Sequence, residues 1–484
     1  VIAAGYLDSL TRTGPWVLAG VAVLLSALAS GHALLYKRDP RSALLWVGLA
    51  WVVPLGGAAL YFMLGVNRIR RRAQKLRSDA ERRGQGQSPD NPVGALELEL
   101  PTAARHLSAL PALVDKIVSR PLLAGNQVQP LINGDAAFPA MLAAISGARH
   151  SISLCTYIFD RDEVGLAFAR VLGEAARRGV EVRVLVDATG ARYSWPSILG
   201  TLRHAGVRHA RFLPAFHLVS LNLRNHRKLL VVDGRVGFTG GMNLRVGHCL
   251  ERRPAAPVQD LQFRVAGPVV GHLQEAFAED WRFATGESLG GELWFPPLAP
   301  CGPVFARGIA DGPDEDFETL RWTLLGALAL ARQSVRVLTP YFLPDASLVS
   351  ALNLAALRGV AVDILLPAEN NLPFMHWASR ALWWQLLERG CRLGLTPPPF
   401  DHSKLLIVDE CWILIGSTNW DPRSLRLNFE FNVECYDPAL ASGLTAWFDE
   451  RLSTARLVGL AEVDARGLPL RMLDSVARLL TPFL

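Results

Sequence analysis

The chain has 484 residues, 50% hydrophobic and 19% charged, with 50 Lys+Arg against 44 Asp+Glu and a formal charge of +6. That length suits two or three domains, and the composition excludes a mostly disordered chain, a collagen and a disulfide-stapled miniprotein. A basic balance fits nucleic acid or an anionic membrane, but the excess is local: residues 66–87 carry eight basic side chains against Asp79 and Glu81, while 88–484 has a net charge of −2.

Two apolar stretches come first. Gly14–Tyr36 has no charged residue and Ser42–Val66 none either. Each is long enough to cross a hydrocarbon core of about 30 Å as a helix. Only Lys37-Arg38-Asp39-Pro40-Arg41 separates them, so the pair reads as a transmembrane hairpin. A second span following at once argues against a cleaved signal peptide. The eight basic residues after the second stretch predict both termini and the globular part on the cytoplasmic side of the membrane. His32, inside the first stretch, reads as a helix-interface or snorkelling residue. The basic tract reads as a segment lying on anionic headgroups, followed by a polar linker over 84–92. Six scattered cysteines, with no CxxC and no zinc-ligand spacing, read as small buried hydrophobes in a reducing compartment.

The rest of the chain is an internal repeat. Ala148-Arg149-His150-Ser151-Ile152 returns as Ala331-Arg332-Gln333-Ser334-Val335, and Arg178-Gly179-Val180 returns as Arg358-Gly359-Val360. His226-Arg227-Lys228-Leu229-Leu230-Val231-Val232-Asp233 returns as His402-Ser403-Lys404-Leu405-Leu406-Ile407-Val408-Asp409, and Gly240-Gly241-Met242-Asn243 as Gly416-Ser417-Thr418-Asn419. Matching blocks in one order at a nearly constant offset indicate a duplication. Periodicity predicts strands over 150–158, 180–187, 334–339 and 360–366. It predicts helices over 163–178, 195–206, 316–333, 345–358, 374–389 and, amphipathic, 468–484. This alternation argues an α/β sandwich in each half. Two such halves pack about a pseudo-two-fold axis that brings equivalent loops together.

The repeated pattern is H-x-K-x(4)-D-x(6)-G-[GS]-x-N. On a strand, residues i and i+2 share a face, so His226 and Lys228 project together, as do His402 and Lys404. Two histidines and two lysines at one seam suit a phosphodiester. One histidine attacks phosphorus and the other protonates the leaving oxygen. The lysines, with Asn243 and Asn419, serve the phosphate oxygens. No carboxylate cluster has metal-ligand spacing, so neither metal nor cofactor is expected. Asp233 and Asp409 complete the candidate catalytic set, their role being to fix the turn that follows each strand.

On these motifs the sequence resembles the phospholipase D superfamily, and within it the bacterial cardiolipin synthases of the phospholipase D type. Phe238-Thr239-Gly240-Gly241-Met242-Asn243-Leu244, Gln259-Asp260-Leu261, Thr339-Pro340-Tyr341-Phe342-Leu343-Pro344 and Asn428-Phe429-Glu430 also look like that family. The resemblance implies an N-terminal hairpin before a duplicated α/β sandwich: 1–66 the hairpin, 67–124 the basic segment and linker, 125–298 the first half and 299–484 the second. It implies transfer of a phosphatidyl group between two phosphatidylglycerol molecules, with phosphatidylethanolamine a possible partner lipid. His226 would be the nucleophile, His402 the acid and then the base, and Asp260 and Glu430 the residues that orient the histidines. A phospholipid hydrolase or headgroup-exchange enzyme is the runner-up. A nuclease is disfavoured by the near-neutral globular part.

Other features carry weaker signals. Trp377, Trp383 and Trp384 suit a core or a membrane-facing surface. Tyr157 and Tyr341 occupy matching positions that could line the pocket. Residues 468–484 place Leu470, Leu473, Val476, Ala477 and Leu480 on one side, with Arg471 and Arg478 flanking. His106, His150, His204, His209, His217, His248, His272 and His376 lack a duplicated context and read as ordinary.

Overall fold

The computed structural model describes residues 2–37, 40–66, 96–97, 99–213, 223–313 and 318–479. The eight basic residues of the juxtamembrane tract, the linker 84–92, Arg38, Asp39, His217 and the last five residues lie outside them.

Helix α1 spans Ile2–Tyr36, and its Gly14–Tyr36 stretch has the length and apolarity to cross a membrane. The second apolar stretch is not one helix. It forms α2 (Pro40–Val52), α3 (Pro54–Leu60) and a wide turn over Tyr61–Gly65. Pro54 is the cause: it has no N–H to give to the carbonyl four residues back. That carbonyl, on Ala50, instead accepts a hydrogen bond from Ser26 Oγ of α1 at 2.6 Å. Trp51 Nε1 donates to Ser30 Oγ at 3.0 Å, and His32 Nδ1 pairs with the Tyr61 hydroxyl at 2.7 Å. His32 therefore belongs to the helix interface.

Fifteen strands of the globular part form one sheet. The first half supplies β1 (Leu123–Ile132), β2 (Ser151–Thr156), β3 (Glu181–Asp187), β4 (His209–Phe212), β5 (Leu229–Val232), β6 (Val236–Gly240), β7 (Val258–Gln259) and β8 (Leu261–Ala266). The second supplies β9 (Val304–Asp311), β10 (Ser334–Leu338), β11 (Ala361–Pro367), β12 (Arg392–Thr396), β13 (Phe400–Asp401), β14 (Leu405–Val408), β15 (Trp412–Gly416), β16 (Glu430–Tyr436) and β17 (Arg456–Leu457). The order is β17-β12-β11-β10-β14-β15-β16-β9-β1-β8-β6-β5-β2-β3-β4, with β7 and β13 paired separately. Outside β17 the order reads the same from either side of the β9–β1 junction, so the duplicated halves join edge to edge across a pseudo-two-fold axis. β1 and β9 pair antiparallel there, Asn126 opposite Val304.

Helices cover both faces. In β5, Leu229 and Val231 enter the central core while Leu230 and Val232 enter the outer core of the first half. In β14, Leu405 and Ile407 face the central core and Leu406 and Val408 the outer core of the second half. Period-two alternation with both faces apolar is what the continuous apolar runs of the repeat require. The central core is shared: α4 (Val270–Thr285) and α5 (Pro438–Thr454) pack into it through Phe277 and Phe448. The predicted helices appear as 163–177, 198–204, 319–330, 346–357 and 468–479, and the one expected over 374–389 is divided into 373–380 and 383–387.

The repeated Arg-Gly pair has a structural reason. Arg178 donates to the carbonyl oxygens of Ile145, Ser146 and Ala148, and Arg358 to those of Leu328, Ala329 and Ala331, closing the preceding helix end in each half. Gly179 and Gly359 then turn the chain at φ +89° and +90°. Two expectations need amending. Part of the expected linker is integral to the fold: Leu96, Leu100, Leu107, Leu110 and Val114 lie in the outer core of the second half. Of the six cysteines, Cys301 is exposed and the other five are buried.

Replacing Arg358 by Ala should lower stability by about 1–3 kcal/mol, since two half-buried carbonyls and one exposed carbonyl lose a charged donor. Thermal unfolding of the purified chain in detergent reads that loss, and an unchanged midpoint would remove the capping role.

Candidate active site

The H-x-K triplets do not lie within strands. β5 begins at Leu229 and β14 at Leu405, so His226–Lys228 and His402–Lys404 are the lead-in segments. What holds them is backbone from the opposite half. His226 N donates to Phe429 O at 2.9 Å, and His402 N donates to Gln259 O at 2.8 Å. β13, just before His402, runs parallel to β7, with Asp401 opposite Gln259.

These attachments deliver the acids. Phe429 precedes Glu430 and Gln259 precedes Asp260. His226 Nδ1 lies 3.1 Å from Glu430 Oε2, and His402 Nδ1 lies 2.8 Å from Asp260 Oδ2. The pairing is crossed, each half's acid holding the other half's histidine. An ionised carboxylate only accepts, so Nδ1 carries the proton and Nε2 keeps the lone pair. All four side chains are buried.

The two acids are supported differently. Glu430 Oε2 accepts from Ser417 Oγ at 2.5 Å and Oε1 from Asn428 Nδ2 at 3.1 Å. Burial pushes its pKa up, but His226, Lys228 and Ser417 outweigh that and hold it below the usual carboxylate range. Asp260 Oδ1 accepts from Leu261 N at 2.8 Å, and burial raises its pKa. At the position matching Ser417 stands Gly241, where a Cβ would come within 2.5 Å of Asp260 Oδ1. The Gly/Ser difference in the repeat therefore follows the Asp/Glu difference.

Lys228 Nζ donates to His226 O at 2.6 Å, and Lys404 Nζ donates to His402 O. Burial draws Lys228 down to about 7, with Glu430 opposing and Lys404 adding to the fall. Burial likewise draws Lys404 down to about 8, with Asp260 and Glu430 opposing. Burial also lowers both histidines, His402 further, with Lys404 and Lys228 next in effect on it. Four nitrogen bases thus share one small volume, each made easier to deprotonate by desolvation and by the others.

Asp233 and Asp409 stand apart from this cluster. Asp233 accepts from the backbone N–H groups of Arg149, His150 and Ser151, and Asp409 from those of Arg332, Gln333 and Ser334. Both have positive φ, +52° and +51°. They tie the end of each motif strand to the start of the neighbouring strand, which explains the repeated Ala-Arg-x-Ser block. Asn243 Oδ1 accepts from Ile158 N at 3.1 Å and Asn419 Nδ2 donates to Ser424 Oγ at 3.3 Å. Tyr157 and Tyr341 flank the histidines, with ring centroids 5.3 Å from His226 and 6.3 Å from His402.

Some participants escaped the sequence reading. Ser417 and Asn428 act on Glu430, and only the Gly/Ser mismatch hinted at the first. His248, expected to be ordinary, is buried and drawn down to about 3 by desolvation, near enough to Asp260 and His402 to feel their charges. His106 Nε2 contacts Asp409 Oδ2 at 2.6 Å. Asp233 shows no equivalent contact among the described residues, so the repeat could not reveal it.

The family model described as "Cardiolipin synthase, PLD-like domain" matches residues 141–281 and 324–452, one segment in each half. The chain belongs to this family. The cardiolipin synthase of Geobacillus kaustophilus is 33% identical over 100% of this chain and 98% of its own. Cardiolipin synthase A of Pseudomonas fluorescens is 34% identical over 97% and 99%. Among solved structures, a phosphatidylserine synthase of Haemophilus influenzae covers 78% of this chain and all of its own with a TM-score of 0.61, at 13% identity, and so shares the fold. The duplicated α/β architecture and the family expectation stand together.

Two predictions follow from this geometry. Lysines titrating at about 7 and about 8 are cationic below those values and neutral above them. kcat/KM, which reports the free enzyme, should fall as pH rises through 7–8, and a profile flat to pH 9 would contradict it. Gly241→Ala should displace the Asp260 carboxylate from Leu261 N and His402, lowering kcat about tenfold or more and thermal stability by about 1–3 kcal/mol as a buried acid loses its partners, read by steady-state kinetics and thermal unfolding.

Proposed function

We propose that the protein makes cardiolipin by phosphatidyl transfer, and the observation that carries this is the pair of crossed histidine–acid contacts with a buried lysine bonded to the backbone of each histidine. His226 Nε2 attacks the phosphorus of a phosphatidylglycerol. The P–O bond to the glycerol headgroup breaks, and His402 supplies the proton that leaves with glycerol. His402 then takes a proton from a hydroxyl of a second phosphatidylglycerol, whose oxygen attacks phosphorus. The P–N bond breaks and cardiolipin leaves. Lys228 and Lys404, with Asn243 and Asn419, stabilise charge on the non-bridging oxygens.

The assignment of His226 as nucleophile is supported by Glu430. A histidine phosphorylated on Nε2 while protonated on Nδ1 is cationic and needs a firmly ionised partner. Glu430, held below the usual range by His226, Lys228 and Ser417, meets that need better than Asp260, whose pKa burial raises. His402 rests neutral in the empty site; an incoming phosphodiester anion raises its pKa, so Nε2 takes up a proton from solvent and holds it for the departing glycerol oxygen.

The anchoring fits the same reading. The packed helices before Val66 form a hairpin in a bacterial cytoplasmic membrane, with the following basic tract on anionic headgroups and the catalytic part facing the cytoplasm. A lipid substrate and a near-neutral catalytic part agree with this and not with nucleic acid.

Purified protein given phosphatidylglycerol should form cardiolipin and glycerol by mass spectrometry. Phosphatidic acid as the sole product would make it a hydrolase instead. His226→Ala and His402→Ala should each reduce turnover by about 10³-fold or more, and retained activity in either would end the scheme. A phosphatidyl adduct trapped on the peptide carrying His226 fixes the order; an adduct on His402 reverses it.

A further inference from the structure

Helix α6 (Leu468–Leu479) has two apolar sides, and only one is occupied. Its inward side docks on the helix over Pro373–Arg380. Ala477 is buried with Leu343, Ala378 and Leu382. Asp474, also buried, accepts from Arg380 at 2.9 and 2.6 Å and from Arg466 at 2.5 Å. The outward side carries Leu468, Met472, Val476 and Leu479, exposed by 69, 59, 53 and 66%. Their spacing of four, four and three puts them on one face. Sequence periodicity groups Val476 with Ala477; in the fold Val476 is exposed and Ala477 buried. Arg471 and Arg478 fall together on one flank of the exposed side. A cavity of about 330 Å³ beside the helix is lined by Arg466, Arg471, Trp384 and Ser475, together with Asp464 and the already paired Asp474.

This surface adjoins the mouth of the site. Leu343, in the same cluster as Ala477, lies two residues after Tyr341, whose ring flanks His402. The Tyr341 hydroxyl donates to Asn371 at 2.7 Å, just before the docking helix. The first half presents its own loop at the matching place, after β3. There Tyr193 lies 6.1 Å from Tyr157, which flanks His226, and Trp195 is 96% exposed. A free tryptophan on a loop and an apolar helix face edged by arginines are both interfacial features.

We infer that Trp195 and the outward face of α6 are a second membrane contact, sitting in the headgroup layer of an anionic bilayer on either side of the active-site mouth. The arginines beside α6 supply the charge complementarity, and the apolar residues supply the insertion. The inference goes beyond the proposed chemistry, because it concerns how a lipid reaches the site and not what is done to it.

The test uses the full chain with Cys301→Ser, reconstituted in nanodiscs of mixed phosphatidylglycerol and phosphatidylcholine. Nitroxide labels are placed at Met472→Cys, at Trp195→Cys and, as a control, at Leu293→Cys near the opposite end of β2. Collision with oxygen should exceed collision with a water-soluble nickel chelate at 472 and 195, and the reverse should hold at 293. Chelate access at 472 or 195 equal to that at 293 would overturn the inference. So would spin–spin broadening showing that a second copy covers the face. This readout does not depend on whether the product is cardiolipin or phosphatidic acid. In parallel, the double variant Met472→Glu and Val476→Glu should lose at least tenfold in turnover of bilayer phosphatidylglycerol, yet stay within twofold on a dispersed short-chain phosphatidylglycerol. Equal loss on both substrates would mean a structural role only.

Discussion

Each motif histidine is held by a carboxylate from the other half of the molecule. Glu430 reaches across to His226 and Asp260 to His402, and all four are buried. A carboxylate removed from water is costly unless paired and hydrogen-bonded. Neither half can therefore move off the other without stranding two buried acids. The geometry of the reaction and the cohesion of the halves depend on one set of contacts.

The sheet makes that set possible. Because β1 and β9 pair at the centre, the two seven-stranded arrangements share one inner core and present their motif loops at a common seam. The backbone bonds from His226 N to Phe429 O and from His402 N to Gln259 O then align each triplet with the segment that brings its acid. The third motif residue works elsewhere. Asp233 and Asp409 gather backbone donors at the far ends of the motif strands, and on Asp409 His106 ties in the segment that leads from the membrane.

Pseudo-symmetry stops short of identity at the acids. Ser417 donates to Glu430, whereas Gly241 makes room for Asp260. The two histidine sites thus differ by one hydroxyl and one methylene, which fits the distinct roles proposed for them. The same half-symmetry extends further, since the loop carrying Trp195 follows β3 and the helix on which α6 docks follows β11.

The duplication, the α/β class and the residues of the site were legible in the sequence because they are written in local periodicity and in blocks repeated at constant offset. The first apolar run marked a helix of membrane-spanning length equally well. Local signals failed where partners are far apart. Pro54 divides the second apolar helix, yet only the fold shows Ser26 satisfying the carbonyl it frees. The segment from Leu96 to Val114 looks like linker until its leucines are seen in the core of the second half. Val476 and Ala477 are sequence neighbours set about 100° apart on a helix, and only packing shows that the first is exposed and the second buried. Above all, the repeat names two histidines and two acids but is equally compatible with direct and crossed pairing. Proximity in sequence favours the direct one. Edge-to-edge joining of the halves brings residues 204 and 142 positions apart into hydrogen-bonding distance, and only the tertiary structure could decide that.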